Sequence, residues 1–338
     1  MSVVIGGGDL GLVPVRRLVD SPVDAVFALG PGDRPLVEAG ESVVVGAPIA
    51  ERLRDARLEE VSIPSSADPT PGARWSRDGG SGPAGVRHTV DGGELLFTWR
   101  GKWRMATGDV PDPLEAPIAG IVRDVRPGTS LTLRATGQAI RGIVTLGGPT
   151  RGRLHLATGA TGGLRTGGLD VGLAGTVLVV STRVDAETLT RARAMGIRGI
   201  VVAGLASKER RDFIASEARQ RAALHRLPPY AVLVMDGASR RPMAGPLMDI
   251  FEMLAGREVA IIGDPPALVF DAADLALPVP PPDLVRVRGG ALLGREGRWL
   301  GAVGLRRFDG NVHLEAGRIR LDDGSVATVP IGDLERFA

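Results

Sequence analysis

The spacing of apolar residues changes once along the chain, near residue 176. Before that point the apolar runs are short and are separated by Pro-Gly, Ala-Gly and Gly-Ala pairs, as in VDAVFALGPGDRPLVEAGESVVVGAPIAE (23–51). This pattern predicts short strands joined by turns. Residues 114–144 repeat it, and residues 147–175 are rich in glycine, which suits a curved sheet or a linker. We therefore expect residues 1–175 to form a β-rich domain.

A stretch dense in proline, glycine and serine, residues 61–90, interrupts this domain. That composition predicts an exposed, mobile excursion between strands, because such residues bury little apolar surface. Strands are predicted again from ELLFTWRGKWRM (94–105) onward.

From Thr176 the chain alternates between continuous apolar runs and amphipathic segments. TVLVVST, IRGIVVAG, YAVLVMDG and EVAIIGD predict buried strands, and DAETLTRARAM, SKERRDFIASEARQRAALHRL and AGPLMDIFEMLAG predict the helices between them. Asp185 and Ser207 are expected to cap the first two helices, and Gly196 is expected to end the first. Apolar strands of this kind are covered on both faces and run parallel. Residues 176–272 are therefore expected to form a small parallel α/β domain.

Proline dominates LALPVPPPDL (275–284), which predicts a stiff linker over residues 273–284. Residues 285–338 return to short apolar runs and turns. The predicted chain is multi-domain and of the α+β class, with β-rich modules on both sides of the α/β domain.

The glycines of VVIGGGDLGLVPVRRL (3–18) have the spacing of a dinucleotide-binding fingerprint, with Gly6, Gly8 and Gly11 after a run of β-formers. That fingerprint needs a helix after the last glycine, so that free backbone N–H groups point at the pyrophosphate. Pro14 would lie about one turn inside such a helix and disrupt it. We therefore interpret the glycines as a turn, and the dinucleotide site is the less favoured alternative.

Composition excludes several kinds of chemistry. The 338 residues are 43% hydrophobic and 24% charged, as in globular proteins, and the absence of cysteine excludes disulfides, thiol nucleophiles and cysteine-bound metals. The four histidines lie far apart and form no metal-ligand pattern. No run approaches the roughly 18 apolar residues of a membrane span, and the N-terminus lacks the pattern of a secretory signal. These features predict a cytoplasmic protein without membrane insertion.

Opposite charges nearly balance along the chain. Lys and Arg number 41 and Asp and Glu number 39, so the formal net charge is +2, although the sequence pI is about 9.6. Lys102 and Lys208 are the only lysines, so arginine supplies almost all of the positive charge. Arginine suits phosphate because its donors form a planar fork. However, because positive and negative charges are nearly equal in number, we favour solvated surface charge over an extended nucleic-acid surface.

Two hairpin patterns in the N-terminal region resemble a known module. A V-x-x-G-[DE]-x-V-x-x-G pattern and an A-P-x-x-G-x-V pattern are carried by Val37, Gly40, Glu41, Val43 and Gly46, and by Ala116, Pro117, Gly120 and Val122. They resemble the pseudo-symmetric hairpins of a barrel-sandwich hybrid of the biotinyl/lipoyl kind, such as the one near the start of the large soluble subunit of Rnf-type electron-transport complexes. The resemblance implies a barrel-sandwich fold for the N-terminal domain.

The resemblance does not extend to a carrier role. A biotinyl or lipoyl lysine projects from the tight turn between the two hairpins, and here the insertion 61–113 replaces that turn. Lys102, the only lysine of the insertion, lies in Gly-Lys-Trp-Arg without a neighbouring methionine. The flavin, iron–sulfur and NADH apparatus of the Rnf subunit has no counterpart in this sequence. We therefore predict no cofactor.

The C-terminal segment VRVRGGALLGREGRW (285–299) resembles a KOW element, with Gly290, Gly294 and Gly297 in the family's G-x-x-x-G-x-x-G spacing. The following RIRLDDGSVATVPIGDLERF (318–337) resembles the closing strands of an SH3-like β-barrel. The resemblance implies a barrel that contacts RNA or protein, with basic side chains at the phosphates. Its candidate nucleic-acid contacts are Arg286, Arg288, Arg295 and Arg298. A barrel that packs only on its own chain is the alternative.

The α/β domain supplies a second candidate site, because parallel sheets bind ligands outside the carboxyl ends of their strands. The residues expected there are Thr182, Gly204, Ser207, Asp236, Gly237 and Asp264, which offer a hydroxyl, a helix N-terminus and carboxylates for a phosphate or a sugar. The same residues also serve as ordinary caps and turn formers. They do not form a catalytic set, which would need a nucleophile, a base beside it and a residue that orients the base. No catalytic residue and no metal ligand is therefore predicted.

Two functional hypotheses follow. The favoured one is a non-enzymatic scaffold whose modules present surfaces to RNA, or to a protein or nucleoprotein complex. The other is an enzyme or ligand sensor that binds a nucleotide or a phosphorylated metabolite in the α/β crevice. A common exposed face for the four C-terminal arginines favours the first hypothesis, and an open crevice with convergent polar groups favours the second.

Overall fold

A computed structural model of the protein describes residues 9–30, 33–54, 57–63, 74–77, 86–88, 94–99, 102–107, 110–158, 162–164, 166–223, 229–238 and 241–338. Within these ranges the α-helices are α1 (Ala186–Ala194), α2 (Ser207–Ala223) and α3 (Gly245–Leu254). The strands are β1 (Val15–Arg16), β2 (Val23–Ala28), β3 (Arg34–Pro35), β4 (Ser42–Val43), β5 (Pro48–Arg54), β6 (Arg57–Glu60), β7 (Arg74–Arg77), β8 (Val86–His88), β9 (Glu94–Trp99), β10 (Lys102–Thr107), β11 (Val110–Glu115), β12 (Gly120–Arg126), β13 (Ser130–Ala135), β14 (Gln138–Arg141), β15 (Val144–Gly147), β16 (Thr150–Leu156), β17 (Thr176–Arg183), β18 (Gly199–Gly204), β19 (Ala231–Val234), β20 (Glu258–Ile262), β21 (Ala267–Phe270), β22 (Leu284–Val287), β23 (Glu296–Phe308), β24 (Val312–Leu321), β25 (Val326–Pro330) and β26 (Leu334–Phe337). The structure is rich in strands, which agrees with the expected α+β class.

Two small sheets form the N-terminal part, with strand orders β2-β13-β12-β4 and β11-β5-β3. The two hairpin patterns lie side by side in it. The backbone N–H of Gly46 donates to the carbonyl of Ala116 at 2.8 Å, and the N–H of Gly40 donates to that of Val122 at 2.8 Å. The buried faces of both sheets share one core with residues of β20 and β21.

The insertion contributes four strands of a five-stranded sheet in the order β6-β10-β9-β7-β8, and β6 precedes the insertion. Of the expected excursion at 61–90, residues 64–73, 78–85 and 89–90 lie outside the described residues. Parts of the rest form strands β7 and β8 rather than loop. Lys102 begins β10, and its Nζ lies 2.9 Å from Oε1 of Glu60.

The largest sheet has eight strands in the order β14-β21-β20-β16-β17-β18-β19-β15. Strands β16, β17, β18 and β19 pair in parallel, whereas β14, β15, β20 and β21 pair antiparallel with their neighbours. The expectation of a parallel sheet is therefore wrong at its margins. An apolar strand buried on both faces has the same composition in either direction, so the sequence does not reveal its direction.

Helices cover both faces of this sheet. Phe251 of α3 packs in one core with Val179 of β17. Leu189 of α1 and Phe213 of α2 pack in another core with Val180, which points to the opposite face of the same strand.

Strands β14, β15 and β16 precede residue 176 and nevertheless belong to the eight-stranded sheet. The boundary expected between residues 175 and 176 thus falls between β16 and β17, which pair in parallel. Strand pairing joins segments that are distant in sequence. The glycine-rich residues between β16 and β17 suggest a linker, although the two strands belong to one sheet.

The C-terminal sheet has six strands in the order β1-β26-β22-β23-β24-β25, so it includes a strand from the start of the chain. Asp9–Leu12 form a 3-10 helix rather than the α-helix of a dinucleotide site, and β1 then pairs in parallel with β26. Val13 is buried among Val285 and Trp299. The described N-terminal segment, residues 9–18, is therefore part of the C-terminal sheet rather than of the first domain.

Residues 271–283, which include most of the expected linker, form neither helix nor strand. Leu275 and Leu277 pack against the core of the eight-stranded sheet. Among the described helices, none is both long enough and apolar enough to cross a membrane.

Candidate functional site

The eight-stranded sheet separates the residues predicted to bind a ligand. Thr182 lies at the end of β17, Gly204 ends β18, and Asp236 follows β19, all at one edge of the sheet. Asp264 follows β20, which is antiparallel to β16, so it lies at the opposite edge. Ser207, the first residue of α2, is exposed. The six predicted residues do not form one crevice.

Polar groups at the carboxyl edge bind to the chain itself. The hydroxyl of Thr182 donates to the carbonyl of Gly162 at 2.9 Å. The N–H of Leu205 donates to the carbonyl of Gly237 at 2.9 Å, and Gly204 is buried. These contacts occupy groups that the sequence analysis assigned to a ligand.

Asp236 lies among three arginines from distant parts of the chain. Its Oδ1 accepts a hydrogen bond from Nη1 of Arg16 at 2.6 Å and lies 3.2 Å from Nη2 of Arg241. Its Oδ2 accepts from Nη1 of Arg286 at 3.2 Å. The Asp236 side chain is 1% exposed and that of Arg286 is fully buried. The carboxylate predicted to bind a ligand is thus occupied by guanidinium groups of the same chain.

Two glutamates complete this buried group. Oε1 of Glu335 lies 3.4 Å from Nη1 of Arg286, while Oε1 of Glu296 accepts from the N–H of Gly245 at 2.8 Å and lies 3.8 Å from Nε of Arg286. Nη2 of Arg286 also donates to the carbonyl of Pro242. We call the six ionisable residues the charge cluster; its members are Arg16, Asp236, Arg241, Arg286, Glu296 and Glu335. Three arginines and three carboxylates cancel in formal charge.

Strand alternation brings the charge cluster together. Val285 and Val287 of β22 point into the core of the C-terminal sheet, so Arg286 between them points to the other face, towards the eight-stranded sheet. The loop before β23 approaches closely. Gly294 has φ +85°, and a Cβ there would lie 2.9 Å from Cβ of Arg241, so glycine is required for the approach.

Burial and charge oppose each other at the carboxylates of the cluster. Burial raises the pKa of Asp236, but attraction to Arg16, Arg286 and Arg241 outweighs it and holds the pKa below the usual 3.8. At Glu296 burial prevails and raises the pKa above the usual 4.5. The Asp236 carboxylate is therefore stabilised in its charged form by the folded protein.

The lowered pKa of Asp236 predicts an acid-sensitive contribution to stability. Because the unfolded-state pKa is about 3.9, the contribution is fully present above that pH and is lost as pH falls through the lower folded-state pKa. We expect Asp236→Asn to be less stable than the wild type at pH 7 and to lose less stability between about pH 5 and pH 2. Urea unfolding at a series of pH values measures this difference. An identical pH profile for both proteins would contradict the assignment.

The four arginines predicted to contact nucleic acid do not share an exposed face. The prediction is wrong for Arg286, because the sheet face that carries it is covered by the eight-stranded sheet. Arg288, Arg295 and Arg298 have side chains 42–51% exposed, and a guanidinium nitrogen of each lies within 3.9 Å of a carboxylate oxygen. Their charge is thus partly neutralised within the chain.

Sequence reasoning missed a second set of arginines in the C-terminal sheet. Arg298 of β23 lies opposite Arg320 of β24, and Arg318 lies on the same face two residues along β24. Arg318 and Arg320 are exposed, and neither forms an ion pair within the part of the chain that the structure describes. We call Arg298, Arg318 and Arg320 the arginine face. The signal for it is the alternation in RIRL (318–321), whose apolar residues lie in the core.

A shallow cleft of about 190 Å³ lies between the four-stranded and eight-stranded sheets. Val45, Pro117 and Phe270 line it, with Arg151 and Glu258, and none of the predicted ligand-binding residues does. Within the described ranges, no group of three or more His, Asp or Glu is placed to hold a metal ion.

Among the described residues, the charge cluster and the arginine face thus differ in their accessibility. One is closed to ligands, and the other is open to solvent. No protein-family model matches the chain, and no curated protein is similar to it in sequence.

Proposed function

We propose that this chain is a non-enzymatic, multi-domain scaffold that contacts RNA through its arginine face. In this proposal the two N-terminal sheets form a barrel-sandwich hybrid, the eight-stranded sheet with its helices forms an α/β module, and the C-terminal sheet forms an SH3-like barrel of the KOW kind. The protein acts in the cytoplasm and presents the barrel to RNA or to a nucleoprotein complex.

The proposal rests on the positive charge of the arginine face. Among the described residues, Arg298 pairs with Asp283, whereas neither Arg318 nor Arg320 forms an ion pair. Arg298 and Arg320 lie directly opposite each other on paired strands, where like charges destabilise a sheet. Arg318 adds a third positive charge on the same face. A bound polyanion would replace this repulsion by attraction, and each guanidinium offers its planar fork of donors to phosphate oxygens.

The charge cluster favours a scaffold over an enzyme or ligand sensor. At the carboxyl edge of the parallel strands, where a nucleotide or a phosphorylated metabolite would bind, Asp236 is bonded to Arg16 and Arg286. The same contacts join the C-terminal sheet to the eight-stranded sheet. They give the arginine face a fixed orientation relative to the rest of the chain.

The proposal predicts that Arg298→Gln, Arg318→Gln, Arg320→Gln binds RNA more weakly than the wild type. Each neutralised phosphate releases counterions and adds about 0.7 to the slope of log K against log salt for a single strand. Loss of three contacts should therefore reduce the slope by about 2. The measurement is the affinity for single-stranded and for structured RNA across a range of salt concentrations, with proteins of equal melting midpoint.

A matched variant controls for net charge. Arg210, Arg211 and Arg219 are exposed on α2, and their replacement by glutamine removes the same three charges. This control should bind RNA as the wild type does. The proposal is wrong if both triple variants bind equally, or if the wild type binds no RNA at low salt.

A further inference from the structure

The outer half of the β23–β24 hairpin projects as a two-stranded ribbon. Strand β22 pairs with β23 only up to Arg298, and β25 pairs with β24 only from Ala316 onward. Residues 305–308 and 312–315 therefore pair with each other alone, which defines the ribbon. Residues 304–307 and 309–315 are exposed. The ribbon is about 13 Å long at 3.3 Å per residue.

One face of the ribbon continues the arginine face. Along β24, Val312 and Leu314 alternate in phase with Arg318 and Arg320, so all four side chains leave the same side of the strand. Directly opposite on β23 lie Phe308, paired with Val312, and Arg306, paired with Leu314. On the same side of β24, beyond the buried Ala316, the arginine face is followed by a fourth arginine and then by an aromatic ring.

Phe308 differs from the other phenylalanines whose burial the structure describes. Phe27, Phe213, Phe251, Phe270 and Phe337 are buried, whereas Phe308 is only partly buried and, among the described residues, packs in none of the hydrophobic cores. Its neighbours on the same face, Val312 and Leu314, are 48% and 40% exposed. The fold of the core therefore does not need this ring.

We infer that the RNA on the arginine face is single-stranded and that one of its bases stacks on Phe308. This inference rests on the proposed function. A positively charged track that follows the backbone, combined with an accessible aromatic ring, is the arrangement that binds single strands, because every base has a π-face. Phe308 is such a ring, since it is partly exposed. Bases in a duplex are already stacked on one another, so a duplex would gain nothing from Phe308.

The geometry of the ribbon suits this ligand. From Arg320 to Val312, which pairs with Phe308, eight residues of β24 span about 26 Å. Over that distance the charges lie at one end, Arg306 lies near the other, and the ring lies at the tip. A strand that follows the arginines would bring a base to Phe308.

The test compares three variants on a mixed-sequence, single-stranded RNA of about twelve nucleotides. Phe308→Ala should weaken binding by about five- to a hundredfold, because loss of one base stack weakens binding by that factor, and the salt slope should stay unchanged. Phe308→Trp should restore the affinity, and the fluorescence of the new indole should be quenched on binding. Leu305→Ala is the matched control, since Leu305 is 60% exposed on the opposite face of the ribbon and should have no effect.

The outcomes separate this inference from the proposed function. If Phe308→Ala binds the single strand as tightly as the wild type, while the arginine variants still reduce the salt slope, stacking is overturned and the proposed function stands. If Phe308→Ala weakens a duplex of the same sequence equally, the assignment to single strands is overturned. If the wild type binds neither the single strand nor the duplex, the proposed function itself is wrong, and a protein becomes the expected partner of the ribbon.

Discussion

Arg286→Met is expected to lower the free energy of unfolding by about 3–5 kcal/mol. The substitution removes a fully buried guanidinium that lies within 3.4 Å of both Asp236 and Glu335. Their carboxylates would then remain in a buried site with fewer positive neighbours, and the carbonyl of Pro242 would lose its donor. The loss is a large part of the roughly 5–15 kcal/mol that stabilises a typical protein. Urea unfolding should show a lower midpoint with an unchanged slope.

Arg320→Met provides the matched control in the same sheet. Arg320 is exposed and lies opposite Arg298, so its removal relieves a like-charge contact and buries nothing new. We expect its stability to stay within about 0.5 kcal/mol of the wild type. Equal stabilities for the two methionine variants would show that the charge cluster does not hold the C-terminal sheet in place.

Local signals in the sequence predicted the α/β elements well. Asp185 was expected to cap the first helix, and α1 begins at Ala186 with Oδ1 of Asp185 accepting from the N–H of Thr188 at 2.6 Å. Gly196, expected to end that helix, has φ +82°. Caps and helix-ending glycines act within a few residues, so a single sequence contains the information needed to place them.

Long-range pairing could not be predicted in the same way. Nothing within β1 indicates that it pairs with β26 at the other end of the chain, or that β16 pairs with β17 across a glycine-rich segment. The direction of β20 determines whether the predicted crevice can form. Because β20 pairs antiparallel with β16, Asp264 lies at the opposite edge of the sheet from Asp236. A crevice is formed by the strand order, and the strand order is not a local property of the sequence.

The arginines of the C-terminal sheet show where pattern reading succeeds and fails. Alternation alone places Arg286 and Arg318 on the face that points away from the core, because their neighbours Val285 and Ile319 point into it. It does not tell which part of that face another sheet covers. Arg286 lies under the eight-stranded sheet and Arg318 lies beyond it, so similar patterns give a buried charge in one strand and an exposed charge in another.

The N-terminal segment is the second place where a large effect is expected. Val13 is 1% exposed in the core of the C-terminal sheet, and Leu18 is 4% exposed in a core of the eight-stranded sheet. Leu18→Ala should lower the free energy of unfolding by about 2–5 kcal/mol, and Val13→Ala should lower it by about 2 kcal/mol, because each substitution leaves a cavity. The two losses should add, since the residues lie in different cores. Urea unfolding of the double variant measures the sum.

The same segment contains its own control, because Leu12 and Val15 are 60% and 48% exposed. Leu12→Ala with Val15→Ala removes the same atoms from the surface and should change the free energy of unfolding by no more than about 0.5 kcal/mol per site. The comparison also decides whether this segment is part of the folded core. A segment that closes the C-terminal sheet tolerates only the surface pair, whereas a segment that packs loosely on the surface would tolerate both double variants.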